Sequence, residues 1–343
     1  MERIDIVGDY YSTKKDLENF LGKGSFGDVF KCYNKKKEGK TFAMKRMIFP
    51  ESHYVMPYIR SEIEILQALR QDKKVKNAIK LYKYYENKDE QKKNCTFHLI
   101  FEYCKGGDLK TLIEKHAPFS EVEIYYILYP IAVCLRDLHK QKIIHRDIKA
   151  ANILLVDKWK PKDPSKVKVR LTDFGVSSID KEMFSSVVGT RYEMAPEIFK
   201  EQECTSAVDV YAFGLVLYQM LFDTMAFDSI SCSTWFQNKA YLKLPKCRFL
   251  SVECFDLLQR SVRVNPEHRI TFEQMVKHPF FEKKGMGRLF LEMFDGTMDV
   301  NYVSMKGPAV DYVELYDKQI AEGKFYKSNH KIEEEIINNN YES

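Results

Sequence analysis

The chain has 343 residues, of which 45% are hydrophobic and 30% charged, and its formal net charge is +5. This balance allows one large or two modest domains with a substantial core, and the mixed charges argue against nucleic-acid binding, which needs a concentrated basic face. The longest apolar run, 210–222, is shorter than the roughly 20 residues that cross a bilayer as a helix, so we expect no membrane span.

Strands predominate in the first part of the chain. Apolar and β-branched residues with glycine-bearing turns predict strands within 19–34 and 39–49, and two more strands within 78–86 and 96–104. Between these pairs, residues 58–70 carry isoleucine and leucine at helical spacing, which predicts one amphipathic helix. A small β-rich lobe with one main helix is therefore expected.

Apolar helices predominate in the second part of the chain. Residues 121–140 and 207–222 are predicted to be long buried helices, and 251–262 and 271–281 shorter ones. Pro130 lies inside the first of these helices and predicts a kink or a break there. The expected fold class is α+β, with the β-rich lobe followed by a larger, mainly helical one.

The eight cysteines are scattered and form no C-x-x-C pair. This spacing argues against a zinc site, and a disulfide scaffold is not expected in a chain of this size. The charged N-terminus has no apolar signal region. We therefore expect reduced cysteines and a cytoplasmic protein, with the nucleus left open as an alternative location.

Three glycines form the pattern G-x-G-x-x-G at Gly22, Gly24 and Gly27. Glycines let a backbone approach phosphates closely and offer N–H donors to them. The same pattern occurs in dinucleotide-binding folds, but there a helix follows the glycines and an acid lies about 20 residues further on. Here a strand-like segment follows, so we favour a phosphate-binding loop between two strands.

Lys45 ends an apolar strand and could reach the phosphates of a nucleotide. A buried lysine needs a carboxylate partner to remain charged. Glu62 and Glu64 on the predicted helix are the candidates. Glu62 lies one turn before Leu66 and shares its inward face, whereas Glu64 lies roughly 200° further round the helix. We therefore favour Glu62 as the partner and expect Glu64 to face solvent.

Polar residues interrupt the apolar run at 143–155, and another acid follows a later strand. Asp173 and Asn152 offer oxygen ligands that suit Mg²⁺ brought in with nucleotide phosphates. Asp147 is then free to accept or orient a hydroxyl proton. Lys149 is placed to neutralise a transferring phosphoryl group. The pattern predicts phosphoryl transfer.

Five segments occur in order along the chain: GKGSFGDV, FAMK, HRDIKAAN, DFG and APE. Together they resemble the signature of the eukaryotic protein kinases over 16–281. The resemblance implies a bilobal kinase fold with an N-lobe at 16–104 and a C-lobe at 105–281. Residues 1–15 and 282–343 would be N-terminal and C-terminal extensions.

The resemblance also implies roles for residues that match the family's motifs. Asp147 and Lys149 would be catalytic, and Asn152 and Asp173 would hold Mg²⁺. Glu197 would pair with Arg269 as a structural ion pair. The residues expected around ATP are Leu21, Gly22, Gly24, Gly27, Val29, Ala43, Lys45, Glu62, Glu102, Cys104 and Leu154. Those expected to stack as a regulatory spine are Leu66, Leu81, His145 and Phe174.

Lys149 further suggests the substrate class, because RDIKAAN carries the lysine typical of serine/threonine kinases. The implied function is transfer of the γ-phosphoryl group of ATP to Ser or Thr of a protein substrate, with dual specificity left open. A pseudokinase used as a binding scaffold and a small-molecule kinase are the alternatives. A weak resemblance to the Ste20 and NIMA-related groups is also present.

Regulation by phosphorylation is expected from Arg146, since such an arginine often pairs with a phosphorylated loop residue in the family. Ser185 and Ser186 are the best-placed acceptors and imply an upstream activating kinase. Glu193 stands where the family commonly has Tyr or Trp, which suggests unusual peptide specificity. The basic stretch 157–168 is predicted to be a loop inserted between two strands.

Overall fold

A computed structural model gives the positions of residues 3–18, 20–24, 27–72, 74–89, 91–175, 195–199, 205–222, 251–263 and 265–282. The chain divides into two compact units. The first unit comprises residues 1–115 and 126–189, and the second comprises residues 116–125 and 190–343. The predicted domain and lobe boundaries stay predictions.

The first unit is built on a seven-stranded antiparallel sheet. Its strands are β1 (Arg3–Val7), β2 (Tyr10–Thr13), β3 (Gly22–Gly24), β4 (Gly27–Asn34), β5 (Lys37–Pro50), β6 (Leu81–Asp89) and β7 (Asn94–Glu102). The hydrogen-bonded order is β1-β2-β4-β5-β7-β6, and β3 pairs with β4. A short helix, α1 (Lys14–Glu18), follows β2.

The N-terminal residues belong to this sheet. Residues 3–7 and 10–13, which fall within the predicted extension at 1–15, form β1 and β2, and β2 pairs with β4. Tyr10 lies edge-on to Phe42, with ring centroids 5.6 Å apart. The buried cluster around these two rings contains Phe30, Cys32, Met44 and Ile100. Residues before Asp16 therefore help to build the core of the sheet.

Helix α2 (Met56–Gln71) has the apolar stripe that the sequence predicts. Pro57 stands in its first turn, where the missing N–H and the fixed φ of proline are tolerated. The buried face contains Met56, Ile59, Glu62, Ile63, Ile65, Leu66 and Leu69. Glu62 is the one acid on this face, so its burial requires a partner.

Helices α3 (Leu109–His116) and α4 (Glu121–Lys140) follow the sheet. A break at Pro130 is wrong, because α4 continues through it. A proline inside a helix costs about 3 kcal/mol through the lost hydrogen bond. Burial of Ile127, Leu128 and Ile131 on the same helix offsets this cost.

A second, three-stranded sheet in the first unit contains β8 (Gly107–Asp108), β9 (Ile153–Leu155) and β10 (Val169–Leu171). The predicted loop between two strands is confirmed, since residues 157–168 connect β9 to β10. An ion pair of 2.9 Å between Lys105 and Asp157 holds the start of this loop.

The second unit is helical where the structure describes it. Its helices are α5 (Pro196–Phe199), α6 (Ala207–Phe222), α7 (Val252–Ser261) and α8 (Phe272–Met275). Helix α6 is buried on all sides along most of its length, as expected for a helix inside a core. The predicted helix at 271–281 is shorter than expected, because a 3₁₀ turn at Pro279–Phe281 replaces its end. No helix in the described segments combines the length and apolarity needed to cross a bilayer.

The predicted pair of Glu197 and Arg269 is present in the second unit. Two parallel hydrogen bonds of 2.6 and 2.7 Å join the guanidinium to the carboxylate. The side chains are only 0% and 2% exposed. Arg269 also donates to the backbone carbonyls of Arg263 and Ala207. Arg269 therefore joins the segment at 263–269 to Glu197 and Ala207, which lie 72 and 62 positions before it in the sequence.

Glu121, at the start of α4, gives a pH-dependent prediction. Burial raises the pKa of Glu121 from 4.5 to about 7, although hydrogen bonds from Ser251 oppose the rise. The folded state therefore favours the protonated acid, and the stability this provides is present below pH 4.5 and lost as pH rises through 7. We expect Glu121→Gln to gain about 2 kcal/mol of stability relative to the native chain between pH 5 and 8. Urea unfolding of both chains at pH 5 and pH 8 measures this difference. An unfolding free energy that changes equally with pH in the native chain and in Glu121→Gln would contradict the prediction.

Candidate functional site

Three of the predicted ATP-binding residues share one face of the large sheet. Val29 on β4 lies directly opposite Lys45 on β5, and Ala43 lies two residues before Lys45. Residues two apart in a strand point to the same side. The ammonium group of Lys45 therefore extends from the same face that carries Val29 and Ala43.

The glycine-rich segment forms a tight hairpin over the start of β4. Gly22 pairs with Val29, and the N–H of Leu21 donates to the Val29 carbonyl at 2.7 Å. A Cβ atom at Gly27 would overlap the carbonyl oxygen of Arg46 on β5. Glycine is thus required at position 27 by the close approach of two strands, while Gly24 ends the short strand β3.

Lys45, Glu62 and Asp173 form a charge network in which Lys45 and Glu62 are the most enclosed members. The Nζ of Lys45 lies 3.2 Å from both carboxylate oxygens of Glu62 and 3.6 Å from Oδ1 of Asp173. Burial alone would lower the pKa of Lys45, but the two carboxylates raise it above its ordinary value. Glu62 is thus the partner of Lys45, as the sequence predicts, whereas Glu64 is exposed on the opposite face of α2.

The two glutamates of α2 offer a matched test of this network. Glu62→Gln removes the charge that positions Lys45, so we expect phosphoryl transfer to fall roughly 10²-fold, as for a misplaced binding group. Glu64→Gln makes the same chemical change on the exposed face and should leave activity within twofold of the native chain. Initial rates at saturating ATP test the comparison, and equal losses in both variants would contradict it.

Asp147 is held by two neighbours from the segment that follows it. Lys149 Nζ lies 3.0 and 2.8 Å from its two carboxylate oxygens, and Asn152 Nδ2 donates to Oδ2 at 2.8 Å. Asn152 also donates to the backbone carbonyl of Asp147 at 2.8 Å. These contacts bring together the three polar residues predicted from the sequence and fix the direction of the Asp147 carboxylate.

Asp173 follows β10 in a strained conformation. Its φ of 66° lies in the left-handed region, which costs a non-glycine residue roughly 1–3 kcal/mol. Burial opposes ionisation of Asp173, but Lys45, His145, Lys149 and the N–H of Gly175 together outweigh it and lower the pKa of the carboxyl group. The side chain is still 40% exposed. Asp173 is therefore an ionised, accessible oxygen donor.

The residues predicted to form the spine are all buried: Leu66, Leu81, His145 and Phe174. The rings of His145 and Phe174 meet at 4.9 Å. His145 also links the two acidic segments, because Nε2 lies 3.1 Å from the Thr172 carbonyl and Nδ1 accepts the N–H of Asp147 at 3.3 Å. His145 therefore packs beside Phe174 and helps to hold both Asp147 and the residue before Asp173.

One ion pair of the site was not predicted from the sequence. Glu102, expected to present its backbone to adenine, directs its carboxylate to Arg170 Nε at 2.8 Å and to the N–H of Lys80 at 3.0 Å. Cys104 follows two residues later and is partly buried, and Leu154 lies partly buried on β9. The Arg170 contact ties the end of β7 to the strand that precedes Asp173.

The predicted regulatory positions Ser185, Ser186 and Glu193 lie outside the described residues. Arg146 is described and has a φ of 68°, so the backbone is strained directly before Asp147 as well as at Asp173. Left-handed non-glycine residues cluster at functional sites when the surrounding structure holds them there. Here the contacts of Asp147 and Lys45 provide that support.

Comparisons with known proteins agree with this arrangement. A family model described as a protein kinase domain matches residues 16–281. A probable serine/threonine-protein kinase of Dictyostelium discoideum is 32% identical over 283 residues, which cover 80% of this chain and 52% of that protein. Serine/threonine-protein kinase ULK3 of Rattus norvegicus is 31% identical over 312 residues, which cover 89% of this chain and 63% of that protein. Serine/threonine-protein kinase ATG1c of Arabidopsis thaliana is 30% identical over 305 residues, which cover 85% of this chain and 39% of that protein.

The chain spans about half the length of these curated relatives. The names of these relatives do not test the weak resemblance to the Ste20 and NIMA-related groups, which stays a prediction. The region that the family model matches contains Lys45, Asp147 and Asp173.

Proposed function

Because the chain belongs to the protein kinase family, we propose that it is an active serine/threonine protein kinase that uses ATP. The observation that carries this proposal is the arrangement of Asp147 with Lys149 and Asn152 at 2.8–3.0 Å. Lys45, Glu62 and Asp173 lie in the same unit as this group. The residues that a pseudokinase would lack are thus present: Asp147 contacts Asn152, and Lys45 contacts Asp173.

In the proposed reaction Asp147 orients the attacking hydroxyl group and accepts its proton. A carboxylate can do this only if its direction is fixed, and Lys149 and Asn152 supply the hydrogen bonds that fix it. Lys149 also places a positive charge beside the transferring phosphoryl group. Lys45, held by Glu62, binds the phosphates of ATP as a fixed cation.

The site also fits a magnesium ion. Asn152 directs its amide nitrogen to Asp147, so its amide oxygen points away from that residue. The lowered pKa of Asp173 keeps a second oxygen donor ionised. Oxygen donors of this kind suit Mg²⁺, which when bound neutralises charge on the phosphate oxygens. Asn152 and Asp173 are the residues proposed to hold it.

The proposed substrate is a protein or peptide rather than a small molecule. Support comes from the serine/threonine-protein kinase names of the relatives and from Lys149, which contacts both carboxylate oxygens of Asp147. A peptide hydroxyl entering beside Asp147 would meet this lysine. The cytoplasmic location expected from the sequence is likewise a proposal.

The proposal is tested by incubating the purified chain with Mg²⁺, labelled ATP and an arrayed peptide library. We expect label on Ser- or Thr-containing peptides and none above background with an Asp147→Asn chain. Equal labelling of peptides by the two chains, or no labelling by either, would contradict the proposed kinase activity. Label on added small alcohols but on no peptide would instead favour a small-molecule kinase.

Activation by an upstream kinase is a further part of the proposal. Arg146 stands next to Asp147, so a phosphate paired with it could order the loop that follows DFG. Replacing Ser185 and Ser186 together by Ala should lower the activity of the chain purified from a eukaryotic host at least fivefold. The native chain treated with a phosphatase is the control, and its activity should match that of the double variant. Unchanged turnover in the double variant would contradict this role.

A further inference from the structure

A cavity of about 450 Å³ lies in the second unit, beside the end of helix α7 and the segment that leads to α8. It belongs to a different unit from Asp147 and Lys45. The residues that line it are Arg260, Arg263, Glu267, His268, Arg269, Ile270 and Gln274. Three arginines against one glutamate give the lining an excess of positive groups.

Two of the arginines are matched by carboxylates. Arg269 forms its two parallel bonds with Glu197, and Arg260 Nε donates to Asp256 Oδ1 at 2.8 Å. These contacts neutralise both charges and fix both side chains. They therefore shape the wall of the cavity rather than supply its free charge.

Arg263 differs from its two neighbours. Its backbone is fixed, because its carbonyl accepts the Nε–H of Arg269 at 2.7 Å. The residue is partly buried, and within the segments that the structure describes its guanidinium makes no hydrogen bond or ion pair. A guanidinium presents a fork of N–H donors that matches a phosphate group. Arg263 is thus a cation on a fixed backbone that lacks a counter-charge among the described residues.

A second donor converges on the same cavity. Gln274 accepts the N–H and the hydroxyl of Thr271 through Oε1 at 2.9 and 3.2 Å. This contact commits the amide oxygen and leaves the NH₂ group of Gln274 as a donor. Glu267, the acid of the lining, is exposed, and no ion pair joins it to Arg263 among the described residues.

We propose that this cavity binds the phosphoryl group of a phosphoserine or phosphothreonine in a protein partner. A cavity of this volume is in the range that holds small ligands and encloses a phosphorylated side chain with its neighbours. Glu267 and His268, which also line the cavity, are exposed, so this part of the lining is open to solvent and to a partner. The inference rests on the proposed function, since it implies that the kinase prefers proteins that already carry a phosphate.

The test is calorimetric titration of the full chain carrying Asp147→Asn, which removes turnover. The ligands are the peptide Ac-Ala-Ala-pSer-Ala-Ala-NH₂, its unphosphorylated serine form and inorganic phosphate. We expect the phosphopeptide to bind at least tenfold more tightly than either of the others. Arg263→Ala should weaken this binding at least tenfold, and Arg263→Lys should weaken it less, because lysine keeps the charge but loses the fork.

Arg60→Ala, which removes an exposed arginine of α2 in the first unit, is the matched control and should bind the phosphopeptide like the parent. Unchanged melting temperatures establish that the variants are folded. Equal binding of phosphorylated and serine peptides, equal binding of inorganic phosphate and phosphopeptide, or full affinity in Arg263→Ala would each overturn the proposal. Because the parent is inactive, these outcomes are independent of whether the native chain proves to be a kinase.

Discussion

Replacing Asp147 with Asn should lower phosphoryl transfer by roughly 10²–10⁴-fold, the usual contribution of a positioned acid–base group. The amide has nearly the same size, but it cannot accept a proton from the attacking hydroxyl group. It would also bring an NH₂ group towards Lys149 and Asn152, which both donate to Asp147 in the structure. The orientation of the side chain is therefore lost together with its basicity.

Turnover of a peptide substrate at saturating ATP measures this effect. Asp163→Asn makes the same chemical change in the loop at 157–168, where Asp163 pairs with Lys166 on the surface. Its activity should match that of the native chain. Nucleotide affinity should be retained in Asp147→Asn, because ATP is bound by other residues. An Asp147→Asn chain with turnover within threefold of native would contradict the assigned role.

The second large effect is expected from the buried pair in the second unit. Glu197→Gln should lower the free energy of unfolding by about 3–5 kcal/mol, because it leaves the guanidinium of Arg269 buried without a counter-charge. The bonds from Arg269 to the carbonyls of Arg263 and Ala207 remain but do not neutralise it. Denaturant unfolding at constant pH measures the loss.

An exposed ion pair supplies the comparison for this loss. Lys277 lies 2.9 Å from Glu273, and its side chain is 71% exposed. Lys277→Gln should change stability by about 0.5 kcal/mol or less, as for most surface pairs. A double change of Glu197→Leu with Arg269→Met should cost less than Glu197→Gln alone, since no charge then remains buried. If the free energy of unfolding of Glu197→Gln lies within 1 kcal/mol of the native value, the pair contributes little to stability and the prediction is wrong.

Sequence patterns predicted the long helices well, because periodicity over many residues is a strong signal. Helix α2 illustrates this: the 100° step per residue was enough to separate buried Glu62 from exposed Glu64. The strands β1 and β2 were missed, because short edge strands with mixed polar residues carry little pattern. Pro130 does not break α4, since burial of the surrounding helix outweighs its local cost, and the alternative of a kink stays a prediction.

The segment from Asp147 to Asn152 could be predicted because its polar residues are close in sequence. Asp147, Lys149 and Asn152 lie within six positions, so one motif places all three. The pairing of Glu102 with Arg170 joins residues 68 positions apart and has no periodic signature. Such contacts depend on how the two sheets of the first unit meet, which local pattern does not encode. The cavity at Arg263 was missed for the same reason.

The most direct test of the proposed kinase is the chemical identity of the labelled residue. The native chain and its Asp147→Asn form are incubated with Mg²⁺, γ-labelled ATP and a peptide that contains one Ser, one Thr and one Tyr in equivalent surroundings. After hydrolysis, we expect label on phosphoserine or phosphothreonine with the native chain and at least a hundredfold less with the variant. Label on phosphotyrosine alone, or equal label with both chains, would contradict the account.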